Sequence, residues 1–509
     1  MHPHAPIRLL AAAALLALGA PFLAAQSGRP AAYTAIREAD LRRDVGEMAS
    51  PAMRGREGGT IDELRASEWV ADQYRRIGLR PMGENGTYFQ WFDMTRTRVS
   101  EAASRATVAG QPLALFRDII PFFVVPAEAS GQVLWIPNAA DTGVSVRGRI
   151  VATPMLAPAP ATIRANSYPY PVRYADAAVS GTLAHFARRG ALAVILVANA
   201  PVDSAFTPVS DMRVRGNYDV DHAVPRAANG SMRIAPVPAL GTGPTPAFLV
   251  RTAMGATLMQ QPQAELSIRL ERFTVPSVNV IGGVRGTDPK LRDEYVLFSS
   301  HQDANGVRAT MEGDSVHAGA DDNASVSAAD LAAARAFVRQ PARRSVLFVN
   351  HGSEERGLIG SRYHAAHPVV PIGQIVAVIN GDMIDRNNPD SASLLGSQPP
   401  HRNSSDLVAM ALRANAMTGK FVLDTIWDRP THMEGWYFRS DHLPYVRMGV
   451  PALMYSTNLH DDYHTPRDRP DRIDYPKLTR MAQWMYLTGW FAANAPERPR
   501  LDPGAKLER

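Results

Sequence analysis

Apolar positions recur at helical spacing through Leu64, Trp69, Val70, Tyr74 and Ile77, which predicts an amphipathic helix. Thr60-Ile61-Asp62-Glu63 reads as its capping box and Gly78 as its stop. The loop before it, 54–60, needs no more than a turn and a cap. From about 116 to 265 the pattern changes. Proline becomes frequent and short β-type runs appear at 132–136, 148–153 and 191–197, with 185–200 reading as helix, stop at Gly190, then strand. That stretch predicts an inserted β-rich domain in which His185 and His222 are surface or packing residues. From Pro276 to Trp490 strands alternate with helices, the α/β signature. The last helix opens near Asp474 and buries Leu478, Met481, Trp484, Met485 and Leu487, and a polar, Pro-rich tail follows Asn494 as a strap or a disordered end.

Within the alternating part, strand-like runs end in metal-type ligands. Residues 295–300 lead into His301-Gln302-Asp303, 345–350 into Glu354-Glu355, and 375–380 into Gly381-Asp382. Gly319-Ala320-Asp321-Asp322-Asn323-Ala324-Ser325 precedes an Ala-rich helix predicted over 324–339, and Tyr463-His464-Thr465-Pro466 lies near the C-terminus. The free N–H groups and positive end of a helix hold carboxylates in one orientation. Ligands repeated just after strands predict one site at the C-terminal edge of an α/β sheet.

A length of 509 residues predicts two or more domains. The formal charge of +5 is small for that length and no Lys/Arg cluster with interleaved aromatics occurs, which argues against nucleic acid as a partner. With no cysteine, thiol chemistry and disulfides are excluded, so any metal is held by N and O ligands. Arg8, an apolar run over 9–18 and Ala24-Ala25 read as a signal peptide cleaved after Ala25, giving an exported protein that starts at Gln26. The run is shorter than the roughly 20 residues needed to span a bilayer, so no stable membrane anchor is expected after cleavage.

His301, Asp322, Glu355, Asp382 and His464 form a candidate set for zinc. Two zinc ions about 3.5–4 Å apart need a bridging carboxylate, a role that falls to Asp322. One metal takes His301 and Asp382, the other Glu355 and His464. Three carboxylates and a bridging hydroxide would balance two Zn²⁺. Glu354, left over beside Glu355, is the candidate general base on the bridging water, passing its proton to the leaving amine. Asp303 is placed to orient His301. Tyr463 is either a donor to the oxyanion of a tetrahedral intermediate or a packing tyrosine.

Five motifs carry a resemblance: His301-x-Asp303, the 319–325 stretch, Glu354-Glu355-x-Gly357-Leu358-x-Gly360-Ser361, Asn380-x-Asp382-Met383 and Tyr463-His464-Thr465-Pro466-x-Asp468. In this order they resemble the co-catalytic two-zinc peptidases, a family that includes bacterial leucyl-type aminopeptidases, glutamate carboxypeptidase-like enzymes, glutaminyl cyclases and the non-catalytic transferrin receptor. The resemblance implies a three-layer α/β/α domain with a central mixed sheet, the ligand roles just given, and an inserted protease-associated domain at about 116–265. The expected organisation is a signal peptide at 1–25, an N-terminal part of the peptidase domain at 26–115, the insert at 116–265, the catalytic domain at 266–495 and a tail at 496–509. Val326 departs from the small residue usual after the Asp-Asn-Ala-Ser motif, which predicts altered helix packing. The loop 304–318 is longer than in simple members, and its His317 reads as a solvated histidine. His351 and His442 read as packing residues.

The leading expectation is an exported aminopeptidase with two zinc ions, acting on peptides. A carboxypeptidase or dipeptidase would use the same metals, a glutaminyl cyclase needs one zinc, and a binding protein on a dead peptidase fold would have lost ligands. Trp436, Tyr437, Phe438 and Arg439 are candidates for the pocket wall, and Arg356, Arg386 and Arg439 for a carboxylate anchor.

Overall fold

The structure is a computed structural model that describes residues 28–141, 143–163, 170–186, 189–224 and 244–505. The expected signal peptide lies outside the described residues. Labelling the elements around the site in chain order, α1 is Glu38–Met48, α2 Ile61–Ile77, β1 Phe89–Val99, β2 Leu270–Val284, β3 Tyr295–His301, α3 Val326–Arg339, β4 Ser345–His351, α4 Ile359–Ala366, β5 Ile375–Gly381, β6 Ser391–Leu395, α5 Ser405–Met417, β7 Ala452–Ser456 and α6 Tyr475–Asn494. The large sheet runs β6-β7-β5-β3-β4-β2-β1, with short strands added at both edges. Its centre, β7, β5, β3 and β4, is parallel, while β6, β2 and β1 pair antiparallel. The sheet is therefore mixed.

The central strands are mostly apolar and buried almost throughout because both faces are covered. Val296, Phe298, Phe348 and Ile379 face the core made with α1, α2, α3, α5 and α6. Leu297, Leu347, Val349 and Val378 face a second core with Ala365 of α4 and Tyr445. This alternation, one residue to each side, produces the three layers. Helix α2 starts where its cap predicts, with the Thr60 hydroxyl accepting from Asp62 N at 3.2 Å. Helix α3 starts at Val326, after an irregular turn over Ala320–Ser325. Val326 packs directly against Gly381, where a Cβ would lie 2.6 Å from Val326 Cγ1.

A second sheet of eight strands spans Arg105 to Ile268, with cores of its own. The β-type runs expected from sequence appear in it as Ala127–Trp135, Ile150–Pro154 and Ala193–Val197. It begins before position 116 because Arg105–Val108 pairs with Gln263–Ile268. The unit is less purely β than its sequence suggested, carrying helices Tyr170–Ala184, Ala200–Ser204 and Phe206–Val214. The helix expected after 185 is this first one, already ended at Ala184. Asn217–Val220 leaves the unit and pairs with β1 of the large sheet. Arg215 ties the two together, its Nε donating to Glu57 Oε1 at 3.0 Å and a terminal nitrogen to Val307 O at 2.9 Å.

The tail is a strap. Asp502 accepts from Ser405 N at 2.8 Å, and Arg500 Nε pairs with Asp406 Oδ2 at 3.0 Å. Among the described residues, no helix is long and apolar enough to cross a membrane.

Candidate metal centre

The parallel strands deliver the predicted ligands to one edge. His301 ends β3, Asp382 directly follows β5, and Glu354-Glu355 sit on a tight turn after β4. Asp322 comes from the turn ahead of α3, and His464 from the loop after β7. Their ligand atoms fall into two groups, each within 4.8 Å: His301, Asp322 and Asp382, and Asp322, Glu355 and His464. Asp322 belongs to both. Its Oδ1 lies 3.2 Å from His301 Nε2 and its Oδ2 lies 2.8 Å from His464 Nε2. Glu355 Oε1 is 2.9 Å from the same His464 nitrogen. Glu354 approaches from the side, Oε2 at 3.7 Å from His301 Nε2.

These groups are buried, and their charges explain one another. Burial and the neighbouring carboxylates, Asp441 and Asp382 among them, push Glu354 well above the usual range despite the opposing pull of His301. Burial, then the charge of Asp322, brings Asp382 up to about 8. Burial would lower His464, but the Glu355 charge and its bonds to Asp322 and Glu355 raise it to about 10. His301 moves the same way: burial is overcome by Glu354, Asp303 and Asp322. Such a set calls for positive charge at its centre. Histidine nitrogens and carboxylate oxygens in this number and spacing fit two zinc ions sharing one carboxylate.

Residues 279–488 match the model of peptidase family M28. That span is similar to the peptidases of family M28. A probable zinc metalloprotease of Leptosphaeria maculans is 25% identical over 266 residues, covering 45% of this chain and 60% of the relative. Aminopeptidase YwaD of Bacillus subtilis is 23% identical over 284 residues, covering 54% and 56%. The chain thus spans about three fifths of the length of the first curated relatives it matches. Among solved structures, the zinc aminopeptidase BSAP from Bacillus subtilis superimposes with a TM-score of 0.55 at 18% identity, covering 90% of this chain and 96% of that one. The aminopeptidase from Aneurinibacillus sp. strain AM-1 gives 0.54 at 17%, covering 92% and 97%. These likenesses give the fold of the chain.

Around the candidate ligands stands a second set of groups that the sequence only partly announced. Asp303 accepts from Glu354 N at 2.9 Å and Glu355 N at 3.2 Å, so its carboxylate clamps the turn that carries base and ligand candidates together. His301 Nδ1 is held instead chiefly by the Asp303 main-chain oxygen, at 3.1 Å, with the carboxylate 3.5 Å away. Asp468 does the same for the bridge, accepting from Asp321 N at 2.9 Å and Asp322 N at 3.1 Å. Glu63, expected as a simple cap, is fully buried and accepts from Ser353 N at 2.7 Å and Gly59 N at 2.7 Å.

The loop 54–60 is more than a turn. Arg56 is completely buried, and its guanidinium donates to Gln302 O, Met48 O, Ala318 O and Gly319 O at 2.7–2.9 Å. It stitches the loop after β3 to the loop before α3. Replacing it with leucine would leave the buried carbonyls of Gln302, Met48 and Ala318 without donors and Gly319 O with Ala324 N alone, each lost donor worth about 1–3 kcal/mol. Arg56→Leu is expected to lower stability by more than about 3 kcal/mol, checked by chemical denaturation with zinc present. An unchanged midpoint would contradict this role.

A cavity of about 240 Å³ opens beside Glu354, Glu355 and Asp382 and is walled by Leu358, Trp436, Phe438, Arg439, Arg447 and Tyr463. Tyr437, a predicted wall residue, is buried behind it, stacked on His401 with ring centroids 4.1 Å apart. Tyr463 lies with its ring 3.8 Å from that of His464, and its hydroxyl accepts from Arg439 at 3.2 Å. Of the candidate anchors, Arg386 pairs with Asp462 and Arg356 with Glu57, while Arg439 pairs with Glu434 at 3.2 Å and stacks over Trp436. His317, expected in solvent, is buried, since the 304–318 loop folds into a hairpin of Gly306–Met311 with Asp314–His317 against the second unit. His351 and His442 are packing residues, fully buried against Tyr445 and Tyr437 respectively.

Proposed function

We propose that this chain is an exported two-zinc metallopeptidase that removes the N-terminal residue of peptides. The observation that carries it is Asp322, whose two oxygens each face a different histidine while Glu354 stands within 4 Å of one of them. His301 and Asp382 would hold one zinc and Glu355 and His464 the other, with Asp322 shared. Bound there, the pair would polarise the scissile carbonyl and lower the pKa of water. Glu354 takes the proton of the attacking water and gives it to the leaving nitrogen. Tyr463, already at the cavity wall, is placed to donate to the developing oxyanion.

An aminopeptidase must hold an ammonium group near the metals. The buried carboxylates Glu354, Glu355 and Asp382 at the cavity floor support that reading, as does the pairing of Arg356 and Arg386 with carboxylates of the fold. Arg439 and Arg447 in the wall favour the alternative, a carboxypeptidase or dipeptidase that grips a terminal carboxylate. A panel of free-amine and N-acetylated peptides assayed with and without zinc decides. Cleavage of the first residue, abolished by N-acetylation, is expected. Release of C-terminal residues from acetylated peptides would establish the alternative.

Export is supported by the order charged, apolar, small at the N-terminus. Mass spectrometry of protein made in a secreting host is expected to show a start at Gln26, and an intact Met1 in exported protein would refute it. We assign the unit over 105–268 as the family's inserted protease-associated domain, whose helices Tyr170–Ala184 and Phe206–Val214 border the hairpin beside His464.

A further inference from the structure

The far end of α3 carries a feature that peptide hydrolysis does not use. A cleft of about 610 Å³ lies between the start of α1, the end of α2 and the end of α3. Its walls present five guanidinium groups, Arg37, Arg43, Arg76, Arg335 and Arg339, and one carboxylate, Asp40. Behind them Asp44 is fully buried and adds a second negative charge. Asp40 is shared by Arg37 at 2.6 Å and Arg43 at 2.7 Å. Asp44 is shared by Arg43 at 2.9 Å and Arg335 at 2.8 Å. Two carboxylates against five arginines leave three positive charges in one concavity.

The surplus sits on identifiable groups. Arg76 and Arg339 are exposed and have no ion-pair partner among the described residues. Arg335 is four-fifths buried, fixed through one terminal nitrogen by Asp44, while its other terminal nitrogen, Nη1, is buried without a hydrogen-bond acceptor. Arginines in the last turn of a helix complement its dipole, which accounts for Arg76 and Arg339 one at a time. It does not account for two helix ends converging on a third, immobilised arginine. The cleft is the size of a small-molecule site, and guanidinium forks match the paired oxygens of phosphate and sulfate groups. Helix α3 has 14 residues, so this site lies about 20 Å from the metal centre, at the opposite edge of the sheet.

We propose that this cleft binds a small, multiply charged phosphate or sulfate ester, with Arg76, Arg335 and Arg339 as its main contacts. The same chemistry is offered by a free anion and by a lipid headgroup, and the test separates them. Titration calorimetry of the zinc-loaded protein with a trisulfated heparin disaccharide, a probe with little affinity for zinc, is expected to show one site. The double variant Arg76→Ser/Arg339→Ser should weaken it at least about tenfold, while Arg105→Ser, an exposed arginine of the second unit, leaves it unchanged. Peptide hydrolysis by the double variant should stay at the wild-type level, which separates loss of the cleft from loss of the metal site. Sedimentation with phosphatidylcholine vesicles containing phosphatidic acid identifies a headgroup as the source if the wild type co-sediments and the double variant does not. If neither disaccharide nor vesicles bind at millimolar concentrations, or if the double variant binds like the wild type, the proposal is wrong.

Discussion

Glu354→Gln is expected to fold, to keep its full zinc content and to lose turnover by about three orders of magnitude. General base catalysis by one positioned carboxylate contributes roughly 10²–10⁴ in rate. Glu354 stands beside the metal-type groups without belonging to either ligand triplet, so the amide removes proton acceptance and little else. The turn that holds it is fixed through main-chain N–H groups on Asp303, a contact the substitution does not touch. The proposed split is between kcat, which falls, and zinc content measured by elemental analysis, which does not. A variant with near-normal kcat would show that another group accepts the proton. A variant that had lost zinc would show that Glu354 is a ligand.

Asp322→Ala is expected to be the more destructive change for the metal centre. Its carboxylate is the one group common to both triplets, and His301 and His464 are set against its opposite oxygens. Without it, two ions at such a separation would repel with nothing between them. Elemental analysis of zinc-loaded protein should fall from two ions per chain to one or fewer, and activity should drop below detection. Retention of two ions would mean that Asp322 does not bridge them. A gentler companion is Asp468→Asn, which keeps one acceptor for the Asp321 and Asp322 amides. It should retain activity but release zinc more readily to a chelator than the wild type does.

How much of this was legible in the chain depended on distance. The periodic segments were readable because burial is local in its demands: helix α2 with its cap and stop, the final helix α6, and the apolar runs that became β3, β4 and β5 each declare themselves within a few turns. The convergence of the candidate ligands was readable for a related reason. In a parallel sheet every strand ends on the same edge, so ligands placed after strands converge whatever the details of packing. The boundary of the second unit was not readable, since Arg105–Val108 belongs to it only by pairing with Gln263–Ile268, more than 150 residues away.

The sequence by itself determined the α/β alternation, the candidate ligands and the separation of Glu354 from Glu355. These follow from hydrophobic period and from side-chain chemistry, which are properties of residues and their near neighbours. Only the tertiary structure decided what holds those ligands still. Arg56 reads as a polar residue in a glycine-rich turn until four carbonyls, three of them from two distant loops, close around it, and Glu63 reads as a helix cap until Ser353 is brought against it. His317 reads as solvated until the hairpin folds it inward, and the cleft at the end of α3 exists only because three helix ends meet. A buried polar group is recognised by its partners, and partners far apart in sequence leave no periodic trace in the chain.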